Sequence, residues 1–176
     1  YRFARVGEQI VLDAGASLAA AAGGPLRFSW IRSDGRVTAG NRLSLTYDRP
    51  GTYSEVLYCS DAEGREGYDV AIVRVSPREN GTYAGPPFGF LNTYPVRRAT
   101  PGTEILFSFR AAGTGRARLD FGDGSYRSEW DPGVGSPQQT IMHSYQEAGW
   151  YIASVCCDDA GQGPAEIKTI VHVERA

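Results

Sequence analysis

Cysteine, histidine and methionine are scarce in this sequence of 176 residues, which has three, two and one of them. Cys59, Cys156 and Cys157 are odd in number and two are adjacent, so they predict neither a disulfide framework nor a zinc motif. No apolar run reaches about 18 residues, so no membrane insertion is expected. The net charge is −2 and no cluster of basic residues is present. Nucleic-acid binding, which needs clustered cations to neutralise phosphates, is therefore not expected.

Catalytic motifs are also lacking. His143 and His172 are the only histidines, and a hydrolytic triad needs a serine or cysteine nucleophile beside a histidine and an orienting group. Neither a nucleophile elbow nor a zinc-protease motif is present. We therefore do not expect an enzyme, and we expect His143 to hydrogen-bond within the fold.

The residues that are abundant indicate an all-β chain. Glycine (22) and proline (10) are frequent, and apolar residues make up 41% of the sequence. Short segments such as Leu26–Trp30 and Leu43–Tyr47 alternate apolar and polar residues, as half-buried strands do. Turn sequences such as Asp34-Gly35 and Asp123-Gly124 separate the segments. This pattern is typical of many short strands joined by tight turns.

An internal repeat divides the sequence into two halves. Residues in the first part of each half match with offsets of 95 (Gly7 and Gly102) and 89 (Asp34 and Asp123). The extra residues of the second copy fall within Tyr126–Gln139, in an inserted loop that carries Trp130. Seven residues recur with an offset of 98, namely Tyr47, Gly51, Tyr53, Cys59, Asp61, Val73 and Val75, as Tyr145, Gly149, Tyr151, Cys157, Asp159, Val171 and Val173.

The repeat predicts one β-domain over residues 1–76, a linker over 77–95 and a second β-domain over 96–176. The linker is rich in proline and glycine but also contains Tyr83, Phe88, Phe90, Leu91 and Tyr94. Because these side chains are costly to leave in water, we expect part of the linker to pack against a domain.

Several motifs of the second half resemble the PKD (polycystic kidney disease-like) domain. Phe121-Gly122-Asp123-Gly124 is similar to its aromatic-Gly-Asp-Gly turn, His143-Ser144-Tyr145 to its His-Thr-Tyr, and Gly149-Trp150-Tyr151 to its Gly-Thr-Tyr. The first copy departs more, with Arg32-Ser33-Asp34-Gly35 at the turn, although Trp30 keeps the family's tryptophan. The resemblance implies two tandem PKD-type, immunoglobulin-like β-sandwiches.

The function that this resemblance implies is a non-catalytic one. Such domains usually belong to secreted or cell-surface proteins, where they act as spacers or substrate-adhering modules of hydrolases that degrade polysaccharides or proteins. The expected partners are neighbouring domains of a parent protein, a polysaccharide or an extracellular protein. The alternative is a carbohydrate-binding module.

Aromatic side chains are the best candidates for ligand binding. Trp130, Tyr126 and Trp150 could present their faces to sugar rings while nearby polar groups bond to the hydroxyls. For Trp130 an equal alternative is that it folds its loop onto the sheet, because a solvated indole forfeits a burial gain of about 2–3 kcal/mol.

Strand parity predicts a second surface. Val56, Tyr58, Val70 and Ile72 point away from the core of the first domain, and an apolar outer face usually marks a contact surface. The linker, the other domain or a neighbouring domain of the parent is expected to cover it. By the same parity Cys59 and Cys157 are buried and Cys156 points outward. Glu55 breaks the inward pattern and is expected to reach water at a strand end.

Calcium is the one cofactor that the sequence leaves open. Asp123 and Asp34 lie in turns, where their carboxylates could bind Ca²⁺. The favoured alternative is that each carboxylate accepts hydrogen bonds from its own turn, because no dense spacing of acidic residues surrounds either one. No cofactor is therefore expected.

Overall fold

The computed structural model describes residues 1–17, 24–77, 89–95, 99–111, 116–130, 138–159 and 163–175, with only the backbone described for residues 111, 127–130, 158 and 159. The chain divides into two compact units, Tyr1–Tyr83 and Ala84–Ala176. The described ranges contain strands and turns without a helix, which confirms the predicted all-β class. Accordingly, these ranges hold no helix that could cross a membrane.

The first unit has two sheets in its described part. One sheet has the strand order β1-β7-β6-β3-β4, and the other pairs β2 with β5. The strands are β1 (Arg2–Arg5), β2 (Gln9–Asp13), β3 (Arg27–Ile31), β4 (Val37–Ala39), β5 (Arg42–Thr46), β6 (Gly51–Ser60) and β7 (Glu66–Ser76).

Both sheets of the first unit contribute to its core. Leu43 and Leu45 of β5 alternate with exposed neighbours, so their side chains face the other sheet. There they join one buried cluster with Trp30, Leu57 and Val73. Each such large side chain stabilises the fold by about 1.5–3 kcal/mol through its burial. The two sheets with this shared interior form a β-sandwich.

The second unit repeats this arrangement. One sheet has the order β14-β13-β10-β11 and the other β12-β9-β8. Ile105, Phe107, Leu119 and Tyr145 are fully buried between them. The strands are β8 (Gly89–Tyr94), β9 (Ile105–Ala111), β10 (Ala117–Asp120), β11 (Tyr126–Trp130), β12 (Gln139–His143), β13 (Gly149–Asp159) and β14 (Gly163–Val173).

The strand register of the two units matches residue by residue. Pairs that face each other in the first unit recur in the second at the sequence offsets of 89, 95 and 98. The matched pairs are Trp30–Leu57 with Leu119–Val155, Ile10–Leu45 with Ile105–His143, and Tyr53–Val73 with Tyr151–Val171. The parallel pair of Ala4 and Val75 likewise recurs as the bridge between Ala99 and Val173. The two halves are therefore two immunoglobulin-like β-sandwiches with the same pairing.

The second unit begins before the end of the expected 77–95 linker. Gly89–Tyr94 form strand β8, which pairs with β9 over its whole length. A Cβ at Gly89 would clash with the backbone oxygen of Arg110. Glycine at this position therefore allows the two strands to approach closely and does not make the chain a flexible linker. The part of the expected linker at 78–88 lies outside the described residues.

The expected inserted loop also contains a strand. Tyr126–Trp130 form β11, which pairs with β10, so Trp130 ends a strand and does not lie in a loop. At the offset of 89, Tyr126 corresponds to Val37, the first residue of β4 in the first unit. Residues 131–137 lie outside the described part of the chain.

Candidate functional site

A buried carboxylate anchors the turn between β3 and β4. The side chain of Glu55 has no exposed surface. Its Oε2 accepts a hydrogen bond of 2.9 Å from the backbone N–H of Ser33, and its Oε1 accepts one of 2.7 Å from the Ser33 hydroxyl. The hydroxyl of Tyr47 donates a third, of 2.9 Å. The expectation that Glu55 reaches water is therefore wrong, because three donors from distant segments replace its solvent.

The hydroxyl of Tyr47 stays protonated and acts as a hydrogen-bond donor in this cluster. Burial raises the pKa of its phenol far above the ordinary value, and the charge of Glu55 and the hydrogen bond to it raise the pKa further. The ring of Tyr47 stacks on Tyr53 with 4.2 Å between centroids. The phenol thus stays protonated and bonded to the carboxylate across the physiological pH range.

The second unit holds the equivalent turn without a counterpart of Glu55. The hydroxyl of Tyr145, the counterpart of Tyr47, donates directly to the backbone oxygen of Phe121 over 2.8 Å, and Ala153 stands where the first unit has Glu55. Gly122 has a φ of +81°, and a Cβ there would lie 2.5 Å from the backbone oxygen of Ile152. Glycine therefore lets the turn pack directly against β13.

Asp123 bonds within its own turn and to His143. Its Oδ1 accepts hydrogen bonds of 2.9 Å and 2.6 Å from the backbone N–H and hydroxyl of Ser125. Its Oδ2 lies 2.7 Å from Nε2 of His143, whose ring stacks on Phe121. Burial alone would raise the pKa of Asp123, but the hydrogen bonds from Ser125 and His143 outweigh it and lower the pKa. The prediction that His143 hydrogen-bonds within the fold is confirmed.

Two carboxylates of the first unit hold turns in the same way. Oδ1 of Asp34 accepts the backbone N–H of Arg36 over 3.0 Å, while Oδ2 pairs with Arg32 at 2.9 Å. Oδ1 of Asp61 accepts two backbone N–H groups, and Oδ2 lies 2.7 Å from Nε of Arg65. The hydrogen bond from Arg65 lowers the pKa of Asp61. Across the described ranges, no three His, Cys, Asp or Glu side chains are grouped so that they could hold a metal ion.

Tyr126 and Trp150 lie on the same outer sheet face of the second unit, but far apart. Tyr126 is opposite Asp120, and Asp120 is opposite Ser154, which lies four residues from Trp150 along β13. Strand geometry then separates the two aromatic residues by about 13 Å along the strands and about 10 Å across them. One sugar ring could not contact both. The side chain of Trp130 is not among those that the structure describes, so its role in ligand binding stays a prediction.

Each of these two aromatic rings has a neighbour. The guanidinium of Arg118 lies 4.8 Å from the centre of the Tyr126 ring, and Tyr126 itself is 61% exposed. Trp150 stacks face to face on His172, with 3.9 Å between centroids and an interplanar angle of 7°. Tyr126 is therefore the more accessible of the two.

The four residues of the predicted outer surface lie on one face of the sheet that contains β6 and β7. Val56 pairs with Val70, and Ile72 lies two residues further along β7, so they face the same way as Tyr58. Val56 is completely buried, whereas the other three are half-buried. The ring of Tyr58 packs on Tyr68, and its hydroxyl donates to Glu66 over 2.9 Å. Accessible area for a partner is thus confined to Tyr58, Val70 and Ile72.

All three cysteines are free thiols. Cys157 is buried as expected. Cys59 is half-buried rather than buried, and Cys156 on the opposite face is also half-buried. Burial raises the pKa of the Cys156 thiol, and the nearby carboxylate of Glu166 raises it further. The thiol of Cys156 is therefore a poor nucleophile at neutral pH.

Comparison with known proteins gives a family match for the first unit. A family model of the PKD domain matches residues 2–76. This segment is therefore similar in sequence to the PKD domain, and its fold is an immunoglobulin-like β-sandwich. A comparison with curated proteins finds no match.

Solved structures similar to the chain include three from microorganisms. The PKD domain of an M14-like peptidase from a Thermoplasmatales archaeon is 16% identical, with a TM-score of 0.42, over 49% of this chain and 94% of that one. Fibronectin(III)-like modules of Clostridium thermocellum CbhA are 13% identical, with a TM-score of 0.37, over 99% and 90%. SGBP-B of the Bacteroides ovatus mixed-linkage glucan utilization locus, solved in complex with a mixed-linkage heptasaccharide, is 12% identical, with a TM-score of 0.36, over 98% and 42%.

Proposed function

We propose that the chain comprises two tandem PKD-like domains and serves as a non-catalytic accessory module of a larger secreted or cell-surface protein. The observation that carries the proposal is that the strands of the two units pair in the same register. Residues 2–76 match the PKD family, and pairs such as Trp30–Leu57 recur in the second unit as Leu119–Val155. A second domain with the same pairing scheme is most simply a second copy of the first.

The use of the acidic side chains supports a non-catalytic role. General acid–base catalysis needs a carboxyl or imidazole that can exchange a proton with a substrate. Asp34, Asp61 and Asp123 each accept hydrogen bonds from their own turns, and Glu55 is buried with three donors. These groups hold loops in place, as expected of a rigid spacer.

The parent protein that we propose is a hydrolase of polysaccharides or proteins, as the family resemblance implies. The module would hold the catalytic domain at a fixed place relative to other domains or to an insoluble substrate. Its partners would be neighbouring domains of the parent, and Tyr58, Val70 and Ile72 offer one surface for such a contact.

The test is to delete this chain from the parent protein and measure hydrolysis of soluble and insoluble substrate in parallel. A spacer predicts unchanged turnover of the soluble substrate and slower turnover of the insoluble one. Loss of turnover on both substrates, with the catalytic domain still folded, would contradict the proposal.

Carbohydrate binding through the outer face of the second unit is the second candidate, favoured by the 61% exposure of Tyr126 beside Arg118. Co-sedimentation with insoluble polysaccharides separates the two candidates, since a spacer stays in the supernatant. If the chain sediments, Tyr126→Ala and Trp150→Ala should release it. Tyr94→Ala is the matched control, because Tyr94 is 72% exposed on the other sheet of the same unit.

A further inference from the structure

The smaller sheet of the first domain has one strand fewer than that of the second in the described part of the chain. In the first domain β2 pairs with β5, whereas in the second β9 lies between β12 and β8. Strand β2 corresponds to β9 and β5 to β12, because Ile10 and Ile105 occupy matching positions of the register. The side of β2 that corresponds to the β8 side of β9 therefore has no strand neighbour among the described residues.

The backbone on this free side of β2 is oriented to pair with another strand. Ala14 donates its N–H to the backbone oxygen of Asn41 over 2.8 Å, next to the start of β5. Hydrogen bonds of an antiparallel strand alternate between its two sides, so the N–H and C=O groups of Val11 and Asp13 point to the free side. These two residues offer two donors and two acceptors. The corresponding positions of β9 pair with β8.

A hollow of about 330 Å³ lies between β2 and the larger sheet of the first domain. Leu12 and Ala14 line one side of it, and Trp30, Leu57 and Ala71 line the other, whereas no residue of β5 takes part. A cavity of about 150 Å³ is enough to hold benzene. The hollow therefore has room for two apolar side chains.

Side chains occupy the corresponding place in the second domain. Phe109, which matches Ala14 at the offset of 95, is fully buried. It lies opposite Leu91 of β8, which is only 6% exposed. The first domain has alanine in place of the phenylalanine, and Leu91 has no counterpart among the described residues. The hollow thus corresponds to the space that Leu91 and the ring of Phe109 fill in the second domain.

The order of the chain indicates where the counterpart of β8 would come from. Strand β8 ends at Tyr94, shortly before Ala99, and the bridge of Ala99 to Val173 matches the pairing of Ala4 in β1. A strand equivalent to β8 would therefore come directly before β1. Tyr1 itself lines the hollow, so polypeptide that joins it would begin at the free side of β2.

Given the proposed function, in which the chain is one part of a larger protein, we propose that the polypeptide directly before Tyr1 forms a strand antiparallel to β2. This strand adds to the free edge and completes the sheet of the first domain, as β8 completes that of the second. Its residue five positions before Tyr1 is apolar and fills the hollow, because Leu91 precedes Val96, the counterpart of Tyr1, by five residues.

The test grafts the strand of the second domain onto the first. A copy of residues 89–95 is placed directly before Tyr1 of the intact chain, which reproduces the spacing between Leu91 and Val96. Amide hydrogen exchange, followed by NMR, should slow by about tenfold or more at Val11 and Asp13, because both N–H groups gain an acceptor. Exchange at Leu119, in the second domain, should not change. Unaltered exchange at Val11 and Asp13 would overturn the proposal.

A matched graft tests whether the hollow selects the strand. Aspartate replaces leucine in the grafted copy at the position of Leu91, so the added backbone stays the same but a charge faces the hollow. Because an unpaired charge is costly among apolar side chains, exchange at Val11 and Asp13 should then be as fast as in the unmodified chain. Equal slowing by both grafts would show that the hollow does not receive this side chain, which would overturn that part of the proposal.

The source of the strand is tested with the chain extended by the residues, about ten, that precede Tyr1 in the parent protein. The extension should slow exchange at Val11 and Asp13 as the first graft does. Slowing by the graft but not by the natural extension would mean that a different segment or another protein occupies the edge, which would overturn the assignment. Hydrolysis by the parent is not part of this measurement, so its failure would leave the spacer function standing.

Discussion

Tyr47 donates a hydrogen bond of 2.9 Å to the buried carboxylate of Glu55, which also accepts two hydrogen bonds from Ser33 in the β3–β4 turn. At the matching position of the second domain, Tyr145 donates over 2.8 Å to the backbone of Phe121 in the corresponding turn. Both domains thus use a buried tyrosine to secure the Asp-Gly turn, through a carboxylate in the first and directly in the second.

Replacing Glu55 by alanine should destabilise the first domain strongly. The change leaves the N–H and hydroxyl of Ser33 and the hydroxyl of Tyr47 without their acceptor in a buried site. We expect a loss of about 3 kcal/mol in the free energy of unfolding, measured with urea. Glu104→Ala, at an exposed position, should change it by about 0.5 kcal/mol or less. Equal effects of the two variants would show that the carboxylate does not anchor the turn.

The two buried tyrosines should differ in what their hydroxyls contribute. Tyr47→Phe removes a bond to a charged acceptor and should cost about 2 kcal/mol, whereas Tyr145→Phe removes a bond to a neutral carbonyl and should cost about 1 kcal/mol. Both variants keep the ring that stacks on Tyr53 or Tyr151. Urea unfolding of the variants gives the comparison, and a greater loss for Tyr145→Phe would contradict it.

Alanine substitutions at two glycines of the second Asp-Gly turn should distinguish the cost of backbone strain from that of a steric clash. Gly122 and Gly124 have φ values of +81° and +90°, but only Gly122 faces an atom, the oxygen of Ile152, within the reach of a Cβ. Gly124→Ala should cost about 1–2 kcal/mol from the left-handed backbone alone. Gly122→Ala should cost at least about 2 kcal/mol more, because β13 must move. Thermal unfolding of both variants measures the difference, and similar losses would mean that the turn does not press on β13.

Stability at acid pH should depend on Asp123. The pKa of Asp123 is lower in the folded state than in the unfolded chain, where it is about 3.9. Its ionised form therefore stabilises the fold above that pH, and this contribution disappears as the pH falls through the folded-state pKa. Urea unfolding at a series of pH values should show Asp123→Asn less stable than the unmodified chain near neutrality, with the gap closing in acid. A gap that does not change with pH would contradict this.

Local signals in the sequence were enough to predict the class of fold and its repetition. The alternation of apolar and polar residues in segments such as Leu43–Tyr47 predicts strands that have one buried face. The Asp-Gly turns indicate where strands end. The constant offset between Tyr47 and Tyr145 reflects a shared role, because each residue secures the turn of its own domain. The turn-holding role favoured for Asp34 and Asp123 is visible in their contacts.

Features that depend on distant partners escaped prediction. Glu55 is buried because Ser33, 22 residues away, supplies two donors, and no local pattern contains that information. Strand β8 lies in a stretch rich in proline and glycine, and its partner β9 is what makes it a strand.

A product-release assay of the intact chain, over a panel of soluble polysaccharides and unstructured peptides, tests the central claim most directly. That claim is that the acidic side chains hold turns and do not act on a substrate. We predict no sugar or peptide product above the buffer blank. Steady release of product that Asp123→Asn or Glu55→Gln abolishes, with the variant still folded, would contradict the account.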